Sequence, residues 1–303
     1  MTMQRTYGSP NAFRRALTDR LRTAARESRW DFAQLQRQMA YDRLLERLYF
    51  VDDGWIVKGA AALLARDIGV RASIDIDVYR AKARGVAESE LREAANRDIG
   101  DWFRFDVGPS QPSGDGSPGI RLPVIAYVGA AEWARFHVDL VGSDIVMTGT
   151  PDHVPPLARV AMPDVEQRGY RAYPLVDHIA DKFAAILQRY GAQEQPSTRY
   201  RDLVDLVAMV GAVTVDASEQ AAALSSEARR RGLVLPQTFD IPDRAMWELG
   251  YAAEAKKSLL TYATALDEAL AVVKPFIDPL LDGSAAGTWD REERRWTSTS
   301  PSP

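Results

Sequence analysis

Residues 54–80 read GWIVKGAAALLARDIGVRASIDIDVYR, and the fold turns on how they are parsed. Trp55, Ile56 and Val57 form a short apolar run suited to a strand. Lys58-Gly59 then turns the chain into an apolar helical run over 60–66. Beyond Gly69, residues 73–79 alternate strictly. The alternation predicts Ile74, Ile76 and Val78 on one face of a strand, and Ser73, Asp75 and Asp77 on the other. Aspartate is depleted in strands, so two carboxylates on one face need a reason. Side by side and ~7 Å apart along the chain, they can set oxygens around one divalent ion or a pair. Hard oxygen ligands suit Mg²⁺, which also takes substrate phosphates. The strand–Gly–helix turn before them offers backbone N–H groups to a phosphate. The competing reading is an exposed edge strand whose outer face is merely acidic.

Composition narrows the chemistry. A chain of 303 residues can bury one large or two ordinary domains. No apolar run approaches the ~20 residues of a membrane span. No basic-then-apolar leader opens the sequence, so a cytoplasmic protein away from membranes is expected. The absence of cysteine excludes disulfides, zinc thiolates and a cysteine nucleophile. Histidine occurs only at His137, His153 and His178, so a metal has to be held by carboxylates. A formal net charge of −4 gives no overall pull toward nucleic acid.

Charge is nonetheless uneven. The first 29 residues carry arginine at 5, 14, 15, 20, 22, 26 and 29, against Asp19 and Glu27. Ser9-Pro10 is a helix start, and Phe13, Leu17, Leu21 and Ala24 fall on one helical face. The arginines either track phosphates beside an active site or are a solvated surface. A second amphipathic helix is predicted over 31–49, with Phe32, Leu35, Met39, Leu44 and Leu48 inward.

Further along, the pattern predicts a helix over 87–99 and strands over 102–107, 120–128 and 134–141. A Pro/Gly/Ser-rich hairpin tip is expected at 108–119 and a short strand near Val160. In the strand ARFHVDLVG, Arg135, His137 and Asp139 share a face. Asp139 is a third strand carboxylate, and His137 reads as a hydrogen-bonding neighbour rather than a ligand. From Pro174 the chain reads as helices, 175–190, 198–210, 216–231 and 254–273. Lys182 lies beside the apolar stripe of the first, and Asp202 and Asp205 neighbour each other on the second. Arg229, Arg230 and Arg231 close the third before a Gly232 stop. From Gly283 the Ser/Thr/Pro-rich tail shows no core period and is expected to be disordered.

KGAAAL, RASIDID, DHIADKFAAIL and RYRDLVDL occur in this order and, by order and spacing, the chain resembles the AbiEii/AbiGii-type nucleotidyltransferase toxins. The resemblance runs over about 55–206, with weaker echoes to Trp247. It implies the polymerase-β-like nucleotidyltransferase fold, an α/β (α+β) arrangement with a mixed sheet flanked by helices and a helical C-terminal domain. The expected division is 1–170, 171–280 and a flexible tail at 281–303. The resemblance assigns Asp75, Asp77, Lys182 and Asp202 to catalysis. It assigns Lys58, Gly59, Ala60, Arg71, Ser73 and Asp205 to nucleotide binding, and Asp75, Asp77 and Asp139 to metal. Arg199 and Arg201 belong to the same motif as Asp202 and Asp205. Ala60 stands where the family commonly has a second Gly or a Ser, which removes a hydroxyl contact to phosphate. The implied cofactor is Mg²⁺, with Mn²⁺ as the alternative, and the implied substrate is an NTP. The implied acceptor is RNA, best the tRNA 3′ end, with blocked translation as the outcome and a cognate antitoxin as partner. Transfer to a protein or small-molecule hydroxyl, and an inactive binding module, are the alternative readings.

Overall fold

The computed structural model describes residues 6–69, 71–113, 119–143 and 145–297, and the chain divides into two compact units. The first unit comprises 1–66, 72–146 and 152–172. The second comprises 67–71, 147–151 and 173–303. Each unit is therefore assembled from three stretches rather than cut from one.

The first unit opens with α1 (Pro10–Glu27), capped by the Ser9 side chain with Pro10 in the first turn. Phe13, Leu17 and Leu21 are its buried stripe. A second helix, α2 (Phe32–Val51), starts with a reciprocal cap between Asp31 and Gln34. Then follow β1 (Trp55–Lys58), α3 (Gly59–Ala65), β2 (Ile76–Arg80), α4 (Arg84–Ala95), β3 (Phe103–Val107), β4 (Gln111–Pro112), β5 (Ile120–Val128), β6 (Ala131–Val141), β7 (Asp152–Val154) and β8 (Tyr170–Ala172). Among the described residues they form a mixed sheet of order β3-β5-β6-β2-β1-β8-β7, with β4 beside β5. The β2–β6 and β1–β8 pairs are parallel, and the others antiparallel. Alternation sets the faces: along β5, Ile120, Leu122, Val124, Ala126 and Val128 are buried, and the residues between them are not.

α2 departs from the amphipathic pattern. Besides Leu35, Met39, Leu44 and Leu48, its Asp42, Arg43, Glu46 and Arg47 are buried, whereas Phe32 is only half-buried. Arg47 forks onto Asp101 at 2.7 and 2.8 Å, and Arg43 Nε reaches the same carboxylate at 2.7 Å. Burial works to raise the Asp101 carboxyl, and the two guanidiniums hold it below the ordinary range instead. Burial pushes the Asp42 carboxyl up to about 7, against the opposing influence of Arg43 and Gln167, and Tyr170 donates its hydroxyl to it.

The second unit holds α5 (Leu175–Leu187), α6 (Tyr200–Val210), α7 (Ala217–Arg231), α8 (Arg244–Lys257) and α9 (Leu266–Asp282), then a hairpin of β9 (Thr288–Asp290) and β10 (Arg295–Thr297). Asp177 in the first turn of α5 accepts the backbone N–H groups of Thr148 and Gly149, each at 2.8 Å. α7 ends at Gly232 in the left-handed region, at φ 65°. Arg230 and Arg231 turn back onto Glu227 and Asp181, so two of the three clustered arginines serve packing.

Four expectations need correction. β2 begins at Ile76, so Ile74 precedes the ladder and is 65 % exposed rather than inward. No strand runs at Val160; β7 and β8 bracket that segment. The single helix over 254–273 is two helices, and α9 continues through Pro275 and Pro279 because Phe276 and Ile277 are fully buried. The tail expected to be disordered from Gly283 folds back as the β9–β10 hairpin, with Trp289 buried against Phe276 and Trp296. Of the hairpin tip expected at 108–119, residues 114–118 lie outside the described residues.

Candidate active site

Four adjacent strands of the first unit carry one row of charged residues. Arg121 on β5 pairs with Asp139 on β6, Asp139 pairs with Asp77 on β2, and Asp77 pairs with Lys58 on β1. Paired residues in a sheet present the same face, so the row reads cation, carboxylate, carboxylate, cation. Like charges opposite each other are unfavourable unless a cation is near. Arg121 supplies one. It forks onto Asp139, Nε to Oδ1 at 2.8 Å and an Nη to Oδ2 at 2.7 Å, and the same Nη stands 3.3 Å from Asp75. His137 Nδ1 is 3.1 Å from the other Asp75 oxygen, a hydrogen-bonding role in keeping with the sequence reading.

The backbone that presents Asp75 is held from α2. Tyr41, 1 % exposed and edge-on to Phe136 at 4.8 Å, donates its hydroxyl to the Ile74 carbonyl at 2.7 Å, with that of Ser73 at 3.3 Å. Burial raises the Tyr41 hydroxyl well above its ordinary range, which keeps it a donor. Ser73 donates its own hydroxyl to the Asp75 carbonyl, so it shapes the turn before β2. Lys58 is buried at the end of β1, and Gly59 follows in the left-handed region at φ 58°, with its backbone against the Asp77 carboxylate. Ala60 is buried in α3.

The second unit holds a separate ionic cluster. Lys182 on α5 is 2.8 Å from Asp202 and 2.6 Å from Asp205 of α6. Arg71 forks onto Asp205 at 2.9 and 2.8 Å. Burial works to lower the lysine, and the Asp202 and Asp205 charges hold it above its ordinary range instead. Burial works to raise Asp205, and Lys182 and Arg71 hold it at about 2. Arg201 bonds Glu254 at 2.9 Å, and the Arg199 guanidinium lies 5.8 Å from the Tyr190 ring centre.

Of the residues that the sequence singles out, the structure places Asp75, Asp77 and Asp139 at one edge of the sheet and Lys182, Asp202, Asp205 and Arg71 in the second unit's cluster. Sequence reasoning missed Arg121 and Tyr41. Among the described residues no three His, Asp or Glu side chains converge closely enough to hold a metal ion as a set. The donor chemistry nevertheless fits a hard divalent cation. The guanidinium lodged between Asp139 and Asp75 already stands in for positive charge there.

The first unit is thus a mixed sheet bearing a carboxylate row, and the second is helical with a small hairpin. The family model described as "Nucleotidyl transferase AbiEii toxin, Type IV TA system" matches residues 43–272, and the chain belongs to that family. It is thus a nucleotidyltransferase toxin of a toxin–antitoxin system, a membership that implies an NTP substrate and an antitoxin partner. None of the curated proteins matches. Solved structures that resemble it include the nucleotidyltransferase toxin MenT4 of Mycobacterium tuberculosis, at 16 % identity and TM-score 0.49 over 68 % of each chain. Another is JHP933 of Helicobacter pylori, at 15 % identity and TM-score 0.42 over 82 % of this chain and 92 % of that one. No described helix is long and apolar enough to cross a membrane.

Proposed function

We propose that this toxin transfers nucleotides from NTP to RNA, most directly to the 3′ end of tRNA, and so blocks translation. The observation that carries the reading is the acidic row of Asp77 and Asp139 with Asp75 at its edge, in a chain of a nucleotidyltransferase family. The acceptor hydroxyl oxygen bonds the α-phosphorus, the bridge to the β-phosphate breaks, pyrophosphate leaves and the hydroxyl proton is lost. Asp75 and Asp77 would hold Mg²⁺ or Mn²⁺, which would supply charge to the attacking and leaving oxygens. Asp139 has both oxygens engaged by Arg121, so it is the weaker candidate for a ligand or a base. Lys182 and Asp202 are the remaining residues assigned to catalysis, and Lys58, Gly59, Ala60, Arg71, Ser73 and Asp205 those assigned to the nucleotide.

The experiment incubates the chain with each labelled NTP, total RNA and Mg²⁺ or Mn²⁺. Label should enter RNA of tRNA size, and periodate oxidation of the RNA 3′ end should prevent it. Asp75→Asn and Asp77→Asn should lose transfer with little change in thermal midpoint, since each carboxylate is partly exposed and asparagine keeps its shape. Label confined to protein or small molecules would move the acceptor to those classes. Undiminished transfer by both variants would remove the carboxylates from the chemistry.

A further inference from the structure

Arg121 is half-exposed, with 44 % of its side chain accessible, and its fork closes on Asp139, at 17 % less exposed than Asp75 at 26 %. The same guanidinium leans on Asp75, the residue through which the edge would take a metal. The Arg121 Nη and a divalent cation are both drawn to the outer Asp75 oxygen, and two positive charges brought to one carboxylate repel each other, so they compete for it. We infer that Arg121 is an internal competitor of the metal. It neutralises Asp139 and Asp75 in the metal-free chain, and it has to release Asp75 before a divalent cation can engage the edge.

The arrangement carries this for three reasons. Arg121 and Asp139 are cross-strand partners, so their pairing is fixed by the ladder and survives a small swing of the Nη group away from Asp75. The Asp75 contact, at 3.3 Å against 2.7 Å for Asp139, is the looser one and the first to give. Asp75 lies ahead of the first residue of β2, held there by the Tyr41 and Ser73 hydrogen bonds rather than by the ladder. Arg121 is thereby a positioning residue for Asp139 and a counter-charge for Asp75. The inference rests on the reading of Asp75 and Asp77 as the metal-holding pair.

The test is Mn²⁺ binding by the full chain, followed by the electron paramagnetic resonance of free Mn²⁺. Arg121→Gln should bind Mn²⁺ more tightly than the wild type by on the order of tenfold, within the range of coupling between sites that share a partner. Arg121→Lys keeps the charge but not the fork and should fall between the two. Adding Asp75→Asn to Arg121→Gln should abolish the gain. Thermal midpoints check that each variant is folded. Should Arg121→Gln fail to fold, Arg121→Lys against the wild type carries the same comparison. Equal or weaker binding by the folded arginine variants would overturn the inference. So would a gain that persists without Asp75. Nucleotide transfer measured in parallel separates the two levels. Transfer that needs Asp75, together with unchanged Mn²⁺ affinity in the arginine variants, removes the competitor role alone. Transfer that ignores Asp75 removes the underlying reading.

Discussion

Gly59 and Asp77 meet backbone to carboxylate: a Cβ built on Gly59 would fall inside the van der Waals envelope of Asp77 Oδ2. Position 59 is also left-handed, where a side chain costs roughly 1–2 kcal/mol. Gly59→Ala should therefore push the Asp77 carboxylate aside while leaving the fold intact. A displacement near 1 Å in reacting geometry can cost about 10²-fold in rate. Transfer should fall on that order and the thermal midpoint by only a few degrees. Full activity in the alanine variant would show that the Asp77 position is not critical.

Asp205 is 1 % exposed and flanked by Lys182 and Arg71. Removing one partner of a buried pair leaves uncompensated charge, at about 3–5 kcal/mol. Asp205→Ala should consequently lower stability by that order, measured by urea unfolding. Asp202→Asn is the milder change, because Asp202 is 14 % exposed and Lys182 keeps Asp205. It should leave the protein folded yet relieve growth arrest on expression. A folded Asp202→Asn protein that arrests growth as strongly as the wild type would take Asp202 out of the chemistry.

Asp42 gives a pH signature of opposite sign to ordinary acid denaturation. Its folded carboxyl sits at about 7, above the unfolded value near 3.9, so the folded state binds the extra proton between these limits. Stability therefore falls as pH rises through this window. Glu46, also raised by burial, adds in the same direction. Asp42→Asn cannot ionise, and the Tyr170 hydroxyl can turn to accept from its amide. Urea midpoints at pH 5 and pH 8 should differ less in Asp42→Asn than in the wild type. Equal slopes would show that Asp42 does not titrate there.

The basic first helix is not uniformly available to RNA. Arg14 stacks over Trp133 and Arg20 bonds Tyr7 and Met162, whereas Arg15, Arg22 and Arg26 are exposed. Changing Arg15, Arg22 and Arg26 to Gln should weaken RNA binding and flatten its salt dependence. Each lost phosphate contact removes about 0.9 from the slope of log K against log salt. NTP binding should stay near wild type. Identical slopes for both proteins would make the helix a solvated surface.

The Asp77–Asp139 pair was legible because a strand betrays its faces by alternation, and both obey it; Asp75 joins them from the turn before β2, where alternation no longer applies. The helix starts at Ser9-Pro10 and Asp216 and the stop at Gly232 were equally plain, since caps are local chemistry. Arg121 was hidden by a single residue. The β5–β6 ladder shifts register between Ala126 and Tyr127, where Trp133 is the additional residue on β6. Without that bulge Arg121 would stand opposite Val138, on the other face. Bulges depend on tertiary packing, here the Trp133 indole donating to the Gln36 carbonyl of α2 at 3.0 Å. The buried charges of α2 were hidden for a related reason. Arg43 and Arg47 look like surface residues until Asp101, more than fifty positions away, is brought to them. The C-terminal hairpin depended on Trp289 finding Phe276, a contact that no periodicity announces.

The interleaving of the two units has a consequence for how such a protein can be dismantled or recombined. A fragment starting at residue 173 would keep Lys182 and Asp205 but lose Arg71, and it would lose the two N–H groups that Asp177 accepts. No single breakpoint yields either unit whole. Gene shuffling at one junction therefore breaks an ionic cluster or a helix start, and the helical unit has to be inherited together with the sheet that precedes it.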